Sequence, residues 1–364
     1  MPVSLVTGGA GFIGSHLVEL LLSEGHEVRV VDNLSTGRLD NLSSLDSEPR
    51  LRFENIDLGS RSASAALDSM LAGCDHVFHL AALADIVPSI QRPMEYHRAN
   101  VDGTAHLLDA VIRVTESGAL ALKRFVYAAS SSCYGIPDDY PTPETADIRP
   151  LYPYALTKRL AEELVLHWVE VYGLPAVSLR LFNVYGPRSR TSGTYGAVFG
   201  VFLRQKLAGA PFTVVGDGEQ SRDFTYVSDI ARGMLAAVTV PLQAVRGECI
   251  NLGSGGHQSI NRLVELLEGD VVHIPKRPGE PDITFADTTK ATDLLGWKAE
   301  VEFEQGVRTM LDNIDYWADA PLWTPDSIEE ATRDWFVHLS VDDLIAESEP
   351  AASQQALVSP NFPS

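Results

Sequence analysis

A glycine-rich turn near the start of the chain constrains its fold more than any other feature. The segment Val3–Thr7 has the apolar, β-branched pattern of a buried strand, and residues 15–23 have the periodicity of a helix. Between them lies the run Gly8-Gly9-Ala10-Gly11-Phe12-Ile13-Gly14. Glycines in such a turn let backbone amides approach a pyrophosphate, and the helix N-terminus adds partial positive charge. The turn therefore predicts a dinucleotide-binding site.

An acidic residue at the end of the second predicted strand indicates which dinucleotide binds. Asp32 follows Gly14 by 18 residues and ends the segment 27–32. A carboxylate there accepts hydrogen bonds from the hydroxyl groups of the adenosine ribose and repels a 2′-phosphate. No arginine follows until Arg38. The pattern favours NAD over NADP as the cofactor.

Two further strand ends are expected at the same site. Asp57 ends the third predicted strand, where its carboxylate would either meet the adenine amino group or cap a turn. The fourth strand ends in Leu80-Ala81-Ala82, whose small side chains would leave room beside the cofactor. Both strand ends are therefore predicted to line the dinucleotide site.

The first half of the chain alternates predicted strands and helices, which indicates βαβ units and a parallel sheet. The predicted strands are 3–7, 27–32, 51–57, 76–80, 124–129 and 176–180. The predicted amphipathic helices are 15–23, 98–114 and 156–172. The strands are almost continuously apolar, as expected when helices cover both faces. We predict an α/β fold, a Rossmann-type doubly wound parallel sheet with a smaller C-terminal substrate-binding lobe.

The sequence pattern changes after about Asn183, where glycine and proline become frequent and short strands and turns are predicted at 212–218 and 249–256. We predict an NAD-binding Rossmann domain over residues 1–182, to which later segments can return. A substrate-binding lobe with a C-terminal helix is predicted over 183–342, and a flexible tail over 343–364. The stretch 323–339 has the pattern of an amphipathic helix, but its sequence assigns it no function.

Charge and cysteine content exclude several classes of function. The net charge of −21 argues against binding to nucleic acid or to anionic membranes, since both require basic patches. Three separated cysteines, Cys74, Cys133 and Cys249, have no metal-ligand spacing and suit a reducing compartment. No apolar run is long enough to span a bilayer, and no signal peptide is evident. We expect a soluble, cytoplasmic protein without a metal site.

A tyrosine and a lysine with helical spacing indicate chemistry beyond binding. Tyr154 and Lys158 are four residues apart, so a helix places them on one face. A phenol normally has a pKa near ~10, but a nearby ammonium and a positive nicotinamide ring both favour the phenolate. Such a tyrosine can exchange a proton with a substrate hydroxyl. Ser130-Ser131-Ser132 ends a strand upstream and would add a hydroxyl to the same substrate oxygen.

Together these motifs resemble the extended short-chain dehydrogenases/reductases, specifically their nucleotide-sugar epimerase/dehydratase branch. The resemblance runs in family order over about residues 1–315. The matching segments are 7–16, Asp32-Asn33, 79–82, Asn100 with Gly103-Thr104, 130–135, Tyr154 with Lys158, 180–187 and 222–227.

The resemblance implies a role for each matching residue. It makes Ser130, Tyr154 and Lys158 the catalytic residues, with Lys158 also holding the nicotinamide ribose. The residues implied to contact NAD are Gly8, Gly11, Phe12, Ile13, Gly14, Asp32, Asn33, Ser35, Thr36, Gly37, Asp57, Leu58, Leu80, Ala81, Ala82, Ala84, Asn100, Tyr154, Lys158 and Phe182. Those implied to contact a nucleotide-diphosphate sugar are Ser130, Ser131, Ser132, Tyr154, Asn183, Arg188, Arg222, Arg277 and Glu280.

The two positions after Ser130 distinguish the reactions of this branch. Its dehydratases carry an Asp-Glu pair there, and its decarboxylases usually have a glutamate at the second position. Here both positions are serine, Ser131 and Ser132, and neither hydroxyl can act as a carboxylic acid. The resemblance therefore implies NAD-dependent 4-epimerisation. The alternatives are a 4,6-dehydratase, a UDP-glucuronate decarboxylase, a one-way reductase that uses NADPH, and a non-catalytic NAD-binding sensor or scaffold.

The sequence leaves the substrate and the assembly open. Thr284 matches a family position where a small residue admits N-acetyl groups, so a UDP-hexose, a UDP-N-acetylhexosamine and a UDP-hexuronate all remain. Arg188 and Arg190 would either bind a hexuronate carboxylate or lie in a solvated loop. Helices 98–114 and 156–172 match those of the family's homodimer interface. Their apolar residues would equally serve as core in a monomer.

Overall fold

A computed structural model describes residues 1–60, 64–189 and 196–340. Within them a sheet of seven parallel strands forms the centre of the molecule, in the order β11-β6-β5-β4-β1-β2-β3. The strands are β1 (Val3–Thr7), β2 (Glu27–Asp32), β3 (Leu51–Asn55), β4 (His76–His79), β5 (Arg124–Ser130), β6 (Ala176–Leu181), β7 (Val184–Tyr185), β8 (Phe212–Val215), β9 (Ser221–Arg222), β10 (Thr225–Tyr226), β11 (Cys249–Leu252), β12 (Gln258–Ser259) and β13 (Val271–Ile274). The predicted doubly wound parallel sheet is confirmed.

Helices cover both faces of this sheet. They are α1 (Phe12–Ser23), α2 (Ser64–Leu71), α3 (Ile86–Gln91), α4 (Pro93–His97), α5 (Gly103–Glu116), α6 (Pro153–Tyr172), α7 (Val198–Leu207), α8 (Val227–Thr239), α9 (Leu242–Val245), α10 (Ile260–Leu267), α11 (Thr289–Leu295), α12 (Phe303–Asp312) and α13 (Pro325–Leu339). The predicted helix 98–114 begins as a π-helical turn at Arg98–Asp102 and continues as α5.

Two apolar cores hold the helices to the sheet. On one face Val6 and Leu252 pack with Leu17 of α1 and Met234 of α8. On the other face the core includes Leu107 of α5 and Val165 of α6, and these side chains are fully buried. Burying a side chain of this size contributes roughly 1.5–3 kcal/mol. Burial on both faces explains why the strands are apolar at nearly every position.

The chain returns to the central sheet after residue 183. β11 pairs in parallel with β6 through Ile250 and Leu252, and α8 packs against α1. Between these returns, short strand pairs and α7, α10 and α12 enclose a third core that includes Phe202, Phe212 and Trp317. The substrate-binding role of residues 183–342 stays a prediction, and the predicted tail at 343–364 lies outside the described residues.

Candidate functional site

A cavity of about 1030 Å³ opens at the carboxyl ends of the central strands, where open α/β sheets bind ligands. The glycine turn forms one end of its wall, and Arg222 and Arg277 lie on the wall contributed by the later part of the chain. Ser130 and Tyr154 also line it. The cavity thus brings together the groups that the sequence predicted for cofactor, proton transfer and diphosphate.

The glycine turn leaves no space for a side chain at Gly8 or at Gly14. Gly8 adopts a left-handed backbone conformation with φ +72°, and a Cβ there would lie 2.7 Å from the backbone nitrogen of Ala81. A Cβ on Gly14 would lie 2.1 Å from the Gly8 carbonyl oxygen. The helix α1 begins after Gly11 without a side-chain cap and without an acidic residue in its first turn. Its first amides therefore suit an anionic group such as a pyrophosphate.

Asp32 holds the loop beside this turn. Its carboxylate accepts hydrogen bonds from the amides of Ala10 (3.0 Å) and Leu34 (2.8 Å). A Cβ on Gly37 would lie 2.9 Å from the same oxygens, so the loop closes tightly around them. Burial raises the pKa of Asp32. The side chain both lines the cavity and orders the loop 33–37, which also lines it.

The remaining predicted cofactor positions fall into two groups. Asp57 lines the cavity and also caps a turn, since its Oδ1 accepts from the amide of Gly59 at 3.0 Å. Asn100 is instead buried. Its Oδ1 accepts a hydrogen bond from the Leu83 amide, and its Nδ2 donates to the Leu83 carbonyl and to the Thr157 hydroxyl. Phe182 is buried against Tyr134, with ring centroids 6.2 Å apart. Asn100 and Phe182 thus support the wall from behind and do not line the cavity.

Ser130 and Tyr154, the residues predicted to carry out proton transfer, both line the cavity. Ser130 ends β5, and Tyr154 lies in the first turn of α6, which Pro153 begins. Burial raises the pKa of Tyr154 and the nearby Ser130 hydroxyl lowers it, with a net upward shift. Ser130 Oγ also lies 2.8 Å from Ser132 Oγ, within the 3-10 turn Ser131–Tyr134.

Lys158 lies one turn after Tyr154 on α6 and is buried. Its ammonium lies 4.5 Å from the ring centroid of Tyr127. Burial lowers the pKa of Lys158 to about 7, and the Glu162 carboxylate opposes this shift. Burial of the phenolate is the largest cause of the raised pKa of Tyr154, and the expectation that Lys158 lowers that pKa stays a prediction.

One carboxylate joins the two arginines at the other end of the cavity. Glu280 lies 2.8 Å from the Arg222 guanidinium and 3.6 Å from that of Arg277. Nearby, the Thr284 hydroxyl donates a hydrogen bond of 2.6 Å to Asn183 Oδ1. The arrangement presents two fixed guanidiniums to the cavity, which suits bidentate binding of a diphosphate.

Arg188 is held on the glycine-turn side of the cavity. Its guanidinium forms an ion pair with Glu19 of α1 at 2.6 Å and donates to the Asn41 carbonyl at 3.2 Å. These partners tie Arg188 to α1 and to the segment after β2, and so do not support a role in binding a sugar carboxylate. Arg190 lies outside the described residues.

Sequence reasoning missed two aromatic residues of the wall. The Tyr152 ring stacks on Tyr154, with centroids 6.4 Å apart and planes 9° apart. Burial raises the pKa of Tyr152 well above its usual range. Trp335 of α13 lies 6.3 Å from the Tyr152 ring. The aromatic pair around Pro153 was a visible signal for Tyr152, whereas Trp335 reaches the site only through long-range packing.

The described residues also show what the site does not contain. Across residues 1–60, 64–189 and 196–340, no group of three histidine, cysteine or acidic side chains is arranged to hold a metal ion. In the same ranges, none of the helices has the length and apolar character needed to cross a bilayer. All three cysteines are free.

The fold, the glycine turn and the Ser130–Tyr154–Lys158 set define an extended short-chain dehydrogenase/reductase. Residues 5–310 match the family model described as GDP-mannose 4,6 dehydratase. The chain belongs to this family of NAD-dependent nucleotide-sugar epimerases and dehydratases.

Curated relatives and solved structures agree with this assignment. A putative UDP-glucose 4-epimerase of Methanocaldococcus jannaschii is 32% identical over 315 residues, or 85% of this chain and 97% of the relative. A UDP-glucuronate 4-epimerase of Thermodesulfobacterium geofontis is 34% identical over 90% of this chain and 98% of the relative. The crystal structure of UDP-glucuronic acid 4-epimerase from Bacillus cereus with UDP-glucuronic acid and NAD superposes with a TM-score of 0.77 at 33% identity, covering 86% of this chain and 99% of that one.

Proposed function

We propose that this chain is an NAD-dependent 4-epimerase of a nucleotide-diphosphate sugar. The observation that carries the proposal is that Ser130 and Tyr154 line one cavity together with the glycine turn and two arginines. The next two residues, Ser131 and Ser132, bear hydroxyls in place of carboxylates. This combination suits reversible oxidation of a sugar hydroxyl without elimination or decarboxylation.

The residues around the glycine turn fit NAD. The uncapped start of α1 would hold the pyrophosphate, and the Asp32 carboxylate would accept from the adenosine ribose. Bound NAD supplies a reversible acceptor of hydride. Lys158, on the cavity wall beside Tyr154, would hold the nicotinamide ribose.

Tyr154 and Ser130 would manage the proton at the sugar's C4 hydroxyl. The Tyr154 phenolate would take that proton while NAD accepts the C4 hydride, and the phenol would return it when the hydride is delivered to the other face of the 4-keto sugar. The Ser130 hydroxyl, which lines the same wall, would hold the reacting oxygen in place. Lys158 supplies positive charge that stabilises the phenolate once the site is filled.

The serine pair favours epimerisation over the other reactions of the family. Elimination of water needs a carboxylic acid and a carboxylate beside the sugar, and Ser131 and Ser132 supply neither. Ser132 instead bonds Ser130, so it orders the proton-transfer pair. Relatives named as decarboxylases are 32–33% identical and those named as epimerases are 32–36% identical, so overall identity does not separate the two reactions.

UDP is the proposed nucleotide. Arg222 and Arg277 would hold its diphosphate, and Asn183 would contact the same group. The names of the similar proteins, which specify UDP-glucose and UDP-glucuronate, support this choice. Thr284 is a small residue on the cavity wall, and its hydroxyl is hydrogen-bonded to Asn183. An N-acetylated sugar therefore stays within the proposed substrate range.

Product analysis tests this proposal. The purified protein is incubated separately with UDP-glucose, UDP-N-acetylglucosamine and UDP-glucuronate, and the anomeric proton signals are followed by NMR. We expect at least one sugar to give its C4 epimer and to reach the same equilibrium from either side. A 4-keto-6-deoxy product, or release of carbon dioxide, contradicts the proposal.

We also propose that the protein forms a homodimer through α5 and α6. Leu156, Val171 and Tyr172 on α6 are 46%, 56% and 53% exposed, although they are large and apolar. A second copy of the same helices would cover them in a two-fold interface. Light scattering at the mass of two chains supports the proposal, and a monomer mass at micromolar concentration contradicts it.

The cytoplasm is the proposed compartment. Cys74 and Cys133 are buried and free, and Cys249 is also free. Burial raises the pKa of the Cys74 thiol to about 11, so it stays unreactive at neutral pH. Free thiols of this kind are typical of reducing compartments, and fractionation of cells that express the protein would test the proposal.

A further inference from the structure

The C-terminal helix α13 lies outside residues 5–310 matched by the family model, yet it reaches the cavity. Thr324 and Ser327 form a reciprocal cap at its start, and Pro325 occupies its first turn. Its inner face buries Ile328, Thr332 and Trp335, which are spaced for one side of a helix. The cap at its start and the packing of its buried face therefore both stabilise this helix.

Trp335 is the residue through which α13 reaches the site. The side chain is 3% exposed and lines the cavity wall. Its indole nitrogen donates a hydrogen bond of 2.7 Å to the Pro278 carbonyl, next to Arg277. The Arg277 guanidinium lies over the indole ring, 5.6 Å from its centroid. The tryptophan thus fixes both the backbone and the side chain of the segment that carries one of the two proposed diphosphate arginines.

The same helix contacts the cofactor side of the molecule. α13 packs along α3, which follows β4, and Gln91 donates a hydrogen bond of 3.0 Å to Asp334. The Trp335 ring also packs on Tyr152, which stacks on Tyr154. One side of α13 is therefore anchored to the region of Tyr154, and Trp335 extends from there to Arg277.

From these contacts we infer that Trp335 is a positioning residue for the nucleotide diphosphate, acting through Arg277. The inference rests on the proposed function, since it takes the ligand of Arg277 to be a diphosphate. The indole face lies against the guanidinium and keeps it directed along the wall, where it also forms an ion pair with Glu280 at 3.6 Å. The indole ring attracts the guanidinium and restricts the conformations of the Arg277 side chain. Less conformational entropy is then lost when a ligand binds to Arg277.

The test compares three variants of the full-length, NAD-loaded protein, with UDP as the probe in calorimetric titration. Trp335→Leu keeps apolar bulk but removes the aromatic face, and we expect UDP to bind about tenfold more weakly. Trp335→Phe retains a ring for Arg277 but loses the hydrogen bond to the Pro278 carbonyl, and we expect UDP to bind about threefold more weakly, a smaller loss than in Trp335→Leu. Val337→Ala, on the same helix but 67% exposed, is the matched control and should bind UDP normally.

Two readouts separate positioning from a merely structural role. In Trp335→Leu the KM for the UDP sugar should rise by about the same tenfold, while kcat and the bound NAD content stay near those of the parent protein. Parent-like UDP affinity in Trp335→Leu overturns the inference, as does equal weakening in Trp335→Phe. If no sugar is epimerised but UDP binding falls as described, the proposed reaction fails and the inference about Trp335 stands.

Discussion

Two effects act in opposite directions on the pKa of Tyr154, and their balance determines when its phenol oxygen can accept a proton. Burial raises the pKa and the nearby Ser130 hydroxyl lowers it, so the phenol keeps its proton in the ligand-free protein. Lys158 has a pKa of about 7 there, which leaves it only partly charged at neutral pH. The two side chains are therefore arranged to become an acid–base pair when ligand charges complete the site.

The first prediction concerns the phenol itself. Tyr154→Phe removes the proton acceptor and keeps the ring that stacks on Tyr152. We expect kcat to fall by at least about a hundredfold, because general acid–base catalysis usually contributes this much or more. Steady-state assays of epimerisation measure the effect. Tyr172→Phe, at the far end of the same helix, is the control and should retain activity; undiminished turnover in Tyr154→Phe removes the proposed base.

The second prediction concerns the buried Lys158. Its pKa is about 7 in the folded protein and near ~10 when unfolded, so the unfolded chain binds more protons between these values. The contribution of Lys158 to stability is therefore complete above about pH 10 and is lost as the pH falls towards 7. Denaturation of nucleotide-free protein should show stability that rises with pH from 7 to 9, by up to about 1.4 kcal/mol per unit, relative to Lys158→Met. Parallel pH profiles contradict the burial argument.

At the level of the structural elements, the glycine turn leads to the third prediction. Gly14→Ala puts a Cβ 2.1 Å from the Gly8 carbonyl oxygen, so the backbone of the turn must move. We expect loss of bound NAD and a lower melting temperature, measured by nucleotide release and by calorimetry. Gly256→Ala is the matched control, because a Cβ there meets no atom within 4 Å. Full NAD content in Gly14→Ala would show that this turn does not hold the cofactor.

The fourth prediction concerns the ion pair that joins α6 to the sheet. Glu162 and Arg180 are 2.9 Å apart with side chains only 1% and 4% exposed, and Ser178 also donates to the carboxylate. Removing one partner leaves an uncompensated buried charge, so Glu162→Gln should destabilise the protein by about 3 kcal/mol or more in urea denaturation. Glu163→Gln, at an exposed neighbour, should change stability by less than about 1 kcal/mol. Equal effects of the two substitutions would contradict this account.

The elements with local signals were predictable from the sequence. β1 and β2 have the predicted bounds, since continuous apolar runs bounded by glycine or polar residues define a buried strand. The four-residue spacing of Tyr154 and Lys158 predicted that both lie on one helix, and both lie on α6. The burial of Asn100 behind the wall was not predictable, because its amide bonds to Leu83 and Thr157, which are distant in sequence.

At the scale of the whole molecule, the later part of the chain was the hardest to predict. The sequence indicated a short strand near residue 250 but not its partner, and β11 pairs with β6 at the edge of the central sheet. It indicated an amphipathic helix near the C-terminus but not that Trp335 would reach the cavity. Such pairings depend on which distant surfaces meet, and hydrophobic periodicity carries no information on partners.

The central claim, that hydride returns to the carbon from which it was removed, is tested most directly with an isotope. The protein is incubated with a UDP-hexose that carries deuterium at C4, and the position of the label in the product is read by NMR and mass spectrometry. A 4-epimerase retains the deuterium at C4 of the inverted sugar, and this is the result we predict. Deuterium found at C6 of a 4-keto-6-deoxy sugar would contradict the account.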